Sequence, residues 1–411
     1  MRIFFTFIVT VVICTSILAQ TPVQTHGALS VSGNQIVNKN GVAVSFAGTS
    51  LFWSNTGWGG EDFYNASVIN WLYSDWNTNI VRAAMGVDDN GGYISDPSNK
   101  QKVITVVDAA INEGLYVIID WHSHHAEDYE TEAIQFFEEM ATLYGDYDNI
   151  IYEIYNEPLQ ISWDNIIKPY AESVISSIRA IDNDNLIIVG TSTWSQDVDI
   201  ASYNPITGYS NIAYTLHFYA GTHGQYLRDK AQTALDNGIA LMVTEWGTVN
   251  ADGNGVVNES SVIEWMDFLC DNSISHCNWA INDKDEGASA LLPGSSSTGN
   301  WTVDDLSASG IVVKDIVENW NSDCNYLGVT KENDNETFDF ELYPNPTNGI
   351  VTISGGNIQE VKIWNINNQL LRSITINKKQ FNIDLGNLPK GIYFLSVITS
   401  NGVFIRKIVF K

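Results

Sequence analysis

The chain has 411 residues, enough for one large domain and a smaller one, and its 48 acidic side chains outweigh 20 basic ones to give a formal charge of −28. A body this acidic repels nucleic acid. After the first residues no apolar run reaches the roughly 18 needed for a membrane span, and the three cysteines beyond Cys14 allow at most one bridge, which excludes a disulfide framework. A Cys270–Cys277 pair is possible, but spacing does not select it.

In chain order, residues 1–20 carry Arg2, a short apolar run and a small Ala19, the pattern of a signal peptide that directs export. "ALSVSGNQIVNKNGVAV" reads as a hairpin with Lys39-Asn40-Gly41 at its turn, placed to close the floor of the domain that follows. Residues 28–320 then alternate β-branched apolar runs with helical ones. "VAVSFAGTS", "NIVRAAM", "LYVIIDWH", "IIYEIYNEP", "LIIVGTSTW", "IAYTLHFYA", "IALMVTEWG" and "SHCNWAIN" are eight strand candidates. Between them lie segments such as "SDPSNKQKVITVVDAAINEG", with capping residues Ser95 and Asp96, apolar residues at helical spacing and a terminating Gly114. Eight buried strands alternating with helices predict an α/β fold, a (β/α)8 TIM barrel. An open doubly wound sheet is the rival, but no strand leads into a GxGxxG loop.

The polar stretch "VTKENDNETFDFE" marks a linker, assigned to 325–340. After it, residues 341–411 read as short alternating runs broken by Asn, Gly and Pro, the signature of a small all-β sandwich. Charge divides at the same point: eight Lys/Arg against three acids give this segment +5 and leave −33 for the rest.

In a barrel of this kind the C-terminal strand ends converge on one face, where catalysis sits. The second run carries Arg82, and the following runs end in polar or aromatic groups: His122 on the third, Asn156 and Glu157 on the fourth, and Trp194 on the fifth. His217 and Tyr219 end the sixth, Glu245 the seventh and Trp279 the eighth. A lone strand-end Glu is more often a salt-bridge partner than a catalyst. Two in one mouth, flanked by aromatic faces that stack on sugar rings, point to glycoside hydrolysis by a pair of carboxylates.

The stretches "VRAAMG", "VIIDWH", "IYEIYNEP", "LHFYAGTHGQYLRDKAQ", "VTEWG" and "DKDEGASALLPG" resemble, in order, glycoside hydrolase family 5 and its bacterial endo-β-1,4-glucanase (cellulase) subfamily. The resemblance implies a retaining double displacement with Glu157 as general acid/base and Glu245 as nucleophile. It implies that Arg82 and Tyr219 hold the nucleophile, that Asn156 binds the sugar 2-hydroxyl, and that His122 and His217 line the cleaved-bond subsite. Trp279, Trp194, Lys284, Glu286 and Trp53 correspond to substrate contacts. No cofactor is implied, and nothing points to an oligomer.

The histidines of "WHSHHAED", His122, His124 and His125, could as a cluster bind a metal, but the H-E-x-x-H pattern is absent, and we assign no metal site. "YPNPTNG", "LPKGIYFLSV" and "RKIVFK" resemble the C-terminal sorting domain of the type IX secretion system. That implies secretion, or attachment at the cell surface, through that machinery. A small carbohydrate-binding module is the alternative for this domain; it would show an exposed aromatic platform, for which Trp364 is the one tryptophan available. For the whole chain the alternatives to a β-1,4-linked glucan as substrate are mannan, xyloglucan or mixed-linkage glucan, or a non-catalytic glycan-binding protein that would have lost a carboxylate.

Overall fold

The computed structural model describes residues 20–320, 341–365, 370–399 and 402–411. The leader through residue 19 and the linker assigned to 325–340 lie outside the described residues. Eight parallel strands follow one another around a closed barrel in chain order: β1 (Ala47–Leu51), β2 (Ile80–Gly86), β3 (Tyr116–His122), β4 (Ile150–Glu153), β5 (Leu186–Val189), β6 (Ile212–Tyr219), β7 (Leu241–Gly247) and β8 (His276–Ile281). Strand β8 bonds back to β1, and a helix follows each strand, from Ala66–Trp76 to Ala308–Asn319. The strands are buried on both faces, which is why they read as unbroken apolar runs.

Local sequence sets the helix ends. The Asn65 side chain accepts from the Val68 N–H to start the first helix, and Gly114 ends the second at a left-handed φ of 71°. That second helix begins at Asn99, after Ser98, so Ser95 and Asp96 lie in the preceding turn.

Outward strand residues such as Val81, Ile119 and Trp246 pack under the helices, whereas Ile80, Ile118, Ile151, Ile188 and Met242 fill the barrel floor. Leu29 and Ile36 of the N-terminal hairpin join the floor cluster, so the hairpin closes the barrel as expected. Its turn, however, falls at Gly33-Asn34 between Ser30–Ser32 and Gln35–Val37, where Gly33 supplies a left-handed φ of 62°. Lys39-Asn40-Gly41 forms a second turn, closing a bridge between Val37 and Ala43. The possible Cys270–Cys277 pair is not formed. Strand β8 buries Cys277 inside the barrel as a free thiol, while Cys270 lies on the outer helix Glu259–Asp271 and is disulfide-bonded. Cys324 lies outside the described residues.

Residues 341–411 form an antiparallel sheet in which Ile350–Asn365 pairs with Glu341–Tyr343, Leu370–Asp384 and Gly391–Thr399, and the last of these pairs with Gly402–Phe410. Its core is Val351, Ile353, Val361, Ile363, Leu395 and Val397. The opposite face meets the barrel. Trp364, 1 % exposed, joins the cluster under the barrel helices, and the buried Lys362 ammonium donates to the Val303 carbonyl at 2.6 Å beside Asp304 at 3.3 Å. Arg406 pairs with Glu259 at 3.2 Å. The basic domain thus sits on the acidic one, and the tryptophan that a sugar platform would have used is buried.

Candidate active site

The strands bring their charged ends together above the floor. Arg82 of β2 is fully buried and bonds three carboxylates: Asp120 at 2.9 Å, Glu153 at 2.7 Å and Glu245 at 3.1 Å. Its Nη2 also donates to Asn156 Oδ1 at 2.7 Å. A cation taken out of water is tolerable with this many charge-assisted partners, which hold it charged.

Glu245 on β7 accepts from Arg82 Nη1 through Oε2 and, at 2.8 Å, from the Tyr219 hydroxyl through Oε1. Burial pushes the Tyr219 phenol well up, and Glu245 adds to the shift, so Tyr219 stays a donor. Both oxygens of Glu245 are therefore occupied as acceptors, which fixes the orientation of the carboxyl group.

Glu157 lies four residues beyond the end of β4, which stops at Glu153 rather than running on to Asn156 and Glu157 as the sequence suggested. Ile154 to Pro158 form a loop instead, since Asn156 N–H bonds to Trp121 O and Glu157 N–H to Ser123 O outside any strand ladder. The Glu157 side chain, 13 % exposed, bonds His217 Nδ1 at 2.8 Å, with His124 at 3.6 Å. Burial lifts its pKa to about 7, against the partial pull of His124 and Arg82. Burial likewise lowers His217 to about 4, so the ring is neutral at neutral pH.

Donor atoms of Glu157, Glu245 and His217 lie within 4.8 Å of one another. Among the described residues this is the group close enough to share a cation, in place of the three histidines at 122–125.

A cleft of about 440 Å³ opens over the pair, lined by Glu157, Trp194, Gln196, His217, Tyr219 and Glu245. Trp194 presents an exposed indole from the turn after β5, where Thr193, Trp194 and Ser195 all take left-handed φ values of 55–59°. Such backbone is strained for non-glycine residues and persists where surroundings fix it. Here Thr193 and Trp194 N–H bond to the Leu159 and Pro158 carbonyls, and Ser195 Oγ donates to Asn156 O at 2.7 Å, tying this turn to the loop that carries Glu157.

Beside the cleft stands an aromatic wall. The His122 ring stacks on Trp279 at 5.0 Å and meets Trp53 edge-on at 4.2 Å, while its Nδ1 lies 2.6 Å from Asp120. Burial lowers the His122 pKa well below the usual range. Lys284 and Glu286 sit apart on the rim, paired to each other at 2.7 Å, with Lys284 over the Phe52 ring. The inward charges Asp120 and Glu153 were not among the expected site residues, though each is a lone acid inside an apolar strand.

A barrel with two facing carboxylates at its C-terminal mouth, an arginine clamp and flanking indoles defines the class of protein to which the chain should be compared. The family model described as cellulase (glycosyl hydrolase family 5) matches residues 37–285, more than half of the chain, and the chain belongs to that family. A second model, the secretion system C-terminal sorting domain, matches residues 341–411. Endoglucanase Z of Dickeya dadantii is 61 % identical over 293 residues, covering 71 % of this chain, and the chain spans 66 % of that relative's length. A solved structure from Cytophaga hutchinsonii is 52 % identical with a TM-score of 0.71, covering 72 % of this chain and 96 % of that one. The catalytic domain of Thermobifida fusca endoglucanase Cel5A, one variant of which was solved in complex with cellotetraose, is 31 % identical with a TM-score of 0.69, covering 73 % and 100 %.

Proposed function

We propose that the chain is a secreted, retaining endo-β-1,4-glucanase. The observation that carries this reading is the approach of Glu157 and Glu245 oxygens to within 4.8 Å. Retaining pairs stand about 5–5.5 Å apart, whereas inverting pairs need roughly 6.5–9.5 Å to admit a water between them. Glu245, oriented by Arg82 and Tyr219, attacks the anomeric carbon. Glu157 protonates the departing oxygen, then takes a proton from the water that opens the glycosyl-enzyme. Asn156, held by Arg82, is placed to bind the sugar 2-hydroxyl, and Trp194 in the cleft with Trp279 and Trp53 beside His122 offers the faces on which sugar rings stack. Cellotetraose in the Thermobifida fusca structure and the endoglucanase relatives support a β-1,4-glucan as substrate.

The sorting-domain match supports export through the type IX secretion machinery to the cell surface or medium. One chain builds the whole mouth, which supports action as a monomer. The test is product analysis on carboxymethylcellulose, mannan and xyloglucan, with the first-formed anomer followed by NMR. β-Anomer from internal cleavage of the cellulosic polymer is expected; α-anomer, or preference for another backbone, would overturn the assignment.

A further inference from the structure

Strand β7 breaks its alternation just before the nucleophile. Thr215 pairs with Met242 but His217 with Glu245, so β7 carries one extra residue there, a β-bulge. Val243 and Trp246 both face the helices, which leaves Thr244 and Glu245, adjacent in sequence, both facing the barrel interior. The Thr244 hydroxyl has three polar neighbours: Glu153 Oε1 at 2.6 Å, His217 Nε2 at 2.9 Å and, at very short range, the Thr215 hydroxyl.

These contacts admit one assignment of protons. Glu153 is gripped by the Arg82 fork, with Nε to Oε2 at 2.7 Å and Nη2 to Oε1 at 3.3 Å, and is an acceptor only. Thr244 has a single proton, and a carboxylate oxygen at 2.6 Å requires it, because two facing lone pairs at that distance repel. Thr244 must then accept from His217, so the neutral imidazole carries its one proton on Nε2. Nδ1 is left with a lone pair, pointing at Glu157 Oε1 2.8 Å away. A bare lone pair there is satisfied by a protonated Glu157 and opposed by an ionised one.

We propose that Thr244 is a positioning residue for the acid/base: by accepting the His217 Nε2 proton and passing its own to Glu153, it fixes the imidazole as an acceptor that holds the proton on Glu157. The inference rests on Glu157 being the acid/base. It adds a hydrogen-bond contribution to the burial that already disfavours the charged carboxyl. Around Glu157 and His217 the other titratable or charged groups are Arg82 on β2, Asp120 and His122 on β3, His124 just after it, Glu153 on β4, Tyr219 on β6 and Glu245 on β7, with His223 and Asp252 lining the same cleft. Thr244→Val leaves each of these in place.

In Thr244→Val the imidazole is free to carry its proton on Nδ1 and donate to the Glu157 carboxylate. The alkaline limb of kcat/KM on cellulosic substrate should then move to lower pH by on the order of one unit, while Thr244→Ser, which keeps the hydroxyl, keeps the limb. A uniform loss of rate in Thr244→Val with the limb unmoved would mean a merely structural role and overturn the proposal. Histidine 15N NMR of the unmodified full chain, with the His217 signals assigned by their absence in His217→Asn, reads the tautomer without any assay. Protonated Nε2 with bare Nδ1 is expected, and the reverse would overturn the proposal whatever the variants do. A protein inactive on glucans but showing that tautomer would instead count against the proposed function.

Discussion

Along β2 the inward side chain changes from Ile80 to Arg82, along β3 from Ile118 to Asp120, and along β4 from Ile151 to Glu153. One step up the barrel axis thus turns an apolar layer into an ionic one. The lower layer gains free energy from burial at every position. The upper layer spends it, since Arg82 and its carboxylates give up their water for one another, and such networks are often no more stable than apolar replacements. The barrel thereby separates along its axis the residues that keep it folded from those we propose do the chemistry.

The strongest test of that separation is Glu245→Gln. Turnover on carboxymethylcellulose should fall roughly 10⁴-fold or more, since an amide cannot attack carbon. Arg82 keeps Asp120 and Glu153, so the thermal midpoint should hold or rise. Retained activity, or collapse of the fold, would remove the distinction between the layers. The reciprocal change is Ile118→Ala in the floor, where a cavity in packed surroundings costs about 2–5 kcal/mol. Urea melts should register that loss, with kcat unchanged where the variant is still folded. A fall in kcat without loss of stability would show that the floor also positions the catalytic groups.

The two layers also differ in how far the sequence discloses them. Eight apolar runs and the helices between them are legible because burial on both faces leaves an unbroken signal, and the ends of those runs point to Glu157, Glu245, His217 and Tyr219, while Arg82 stands out as the basic residue inside the second run. Strand termini are less so. The apolar run continues to Glu157, but the chain leaves the ladder after Glu153, and only the Ser123 and Trp121 carbonyls show where the loop is anchored. Asp120 and Glu153 are less legible, because an acid inside an apolar run declares its role only through its partner, here the Arg82 guanidinium brought over from the neighbouring strand. Thr244 could not be found from its neighbours in sequence. Strict alternation would point it away from Glu245, and the bulge that turns both inward is a property of the pairing with β6. The left-handed turn that presents Trp194 is likewise set by bonds to the Glu157 loop, not by any glycine in "TSTWS".

A finer test concerns what burial does to a carboxyl group at the edge of the ionic layer. Glu157 has a pKa of about 7, raised chiefly by burial, and as the proposed acid it must carry its proton to release a poor leaving group. The protonated form is active in glycosylation, so kcat/KM on cellulosic oligosaccharides should be near half its plateau at about pH 7, level off about one unit lower and fall toward tenfold per unit well above it. His217, at about 4, stays neutral across that range and contributes no limb there. An aryl cellobioside with a good leaving group departs without protonation, so its glycosylation step should lose most of this alkaline limb in the same buffers. If the limb persists undiminished with the aryl substrate, the titrating group is not the proton donor. The raised pKa would then be only a cost of burying a carboxyl near Glu153.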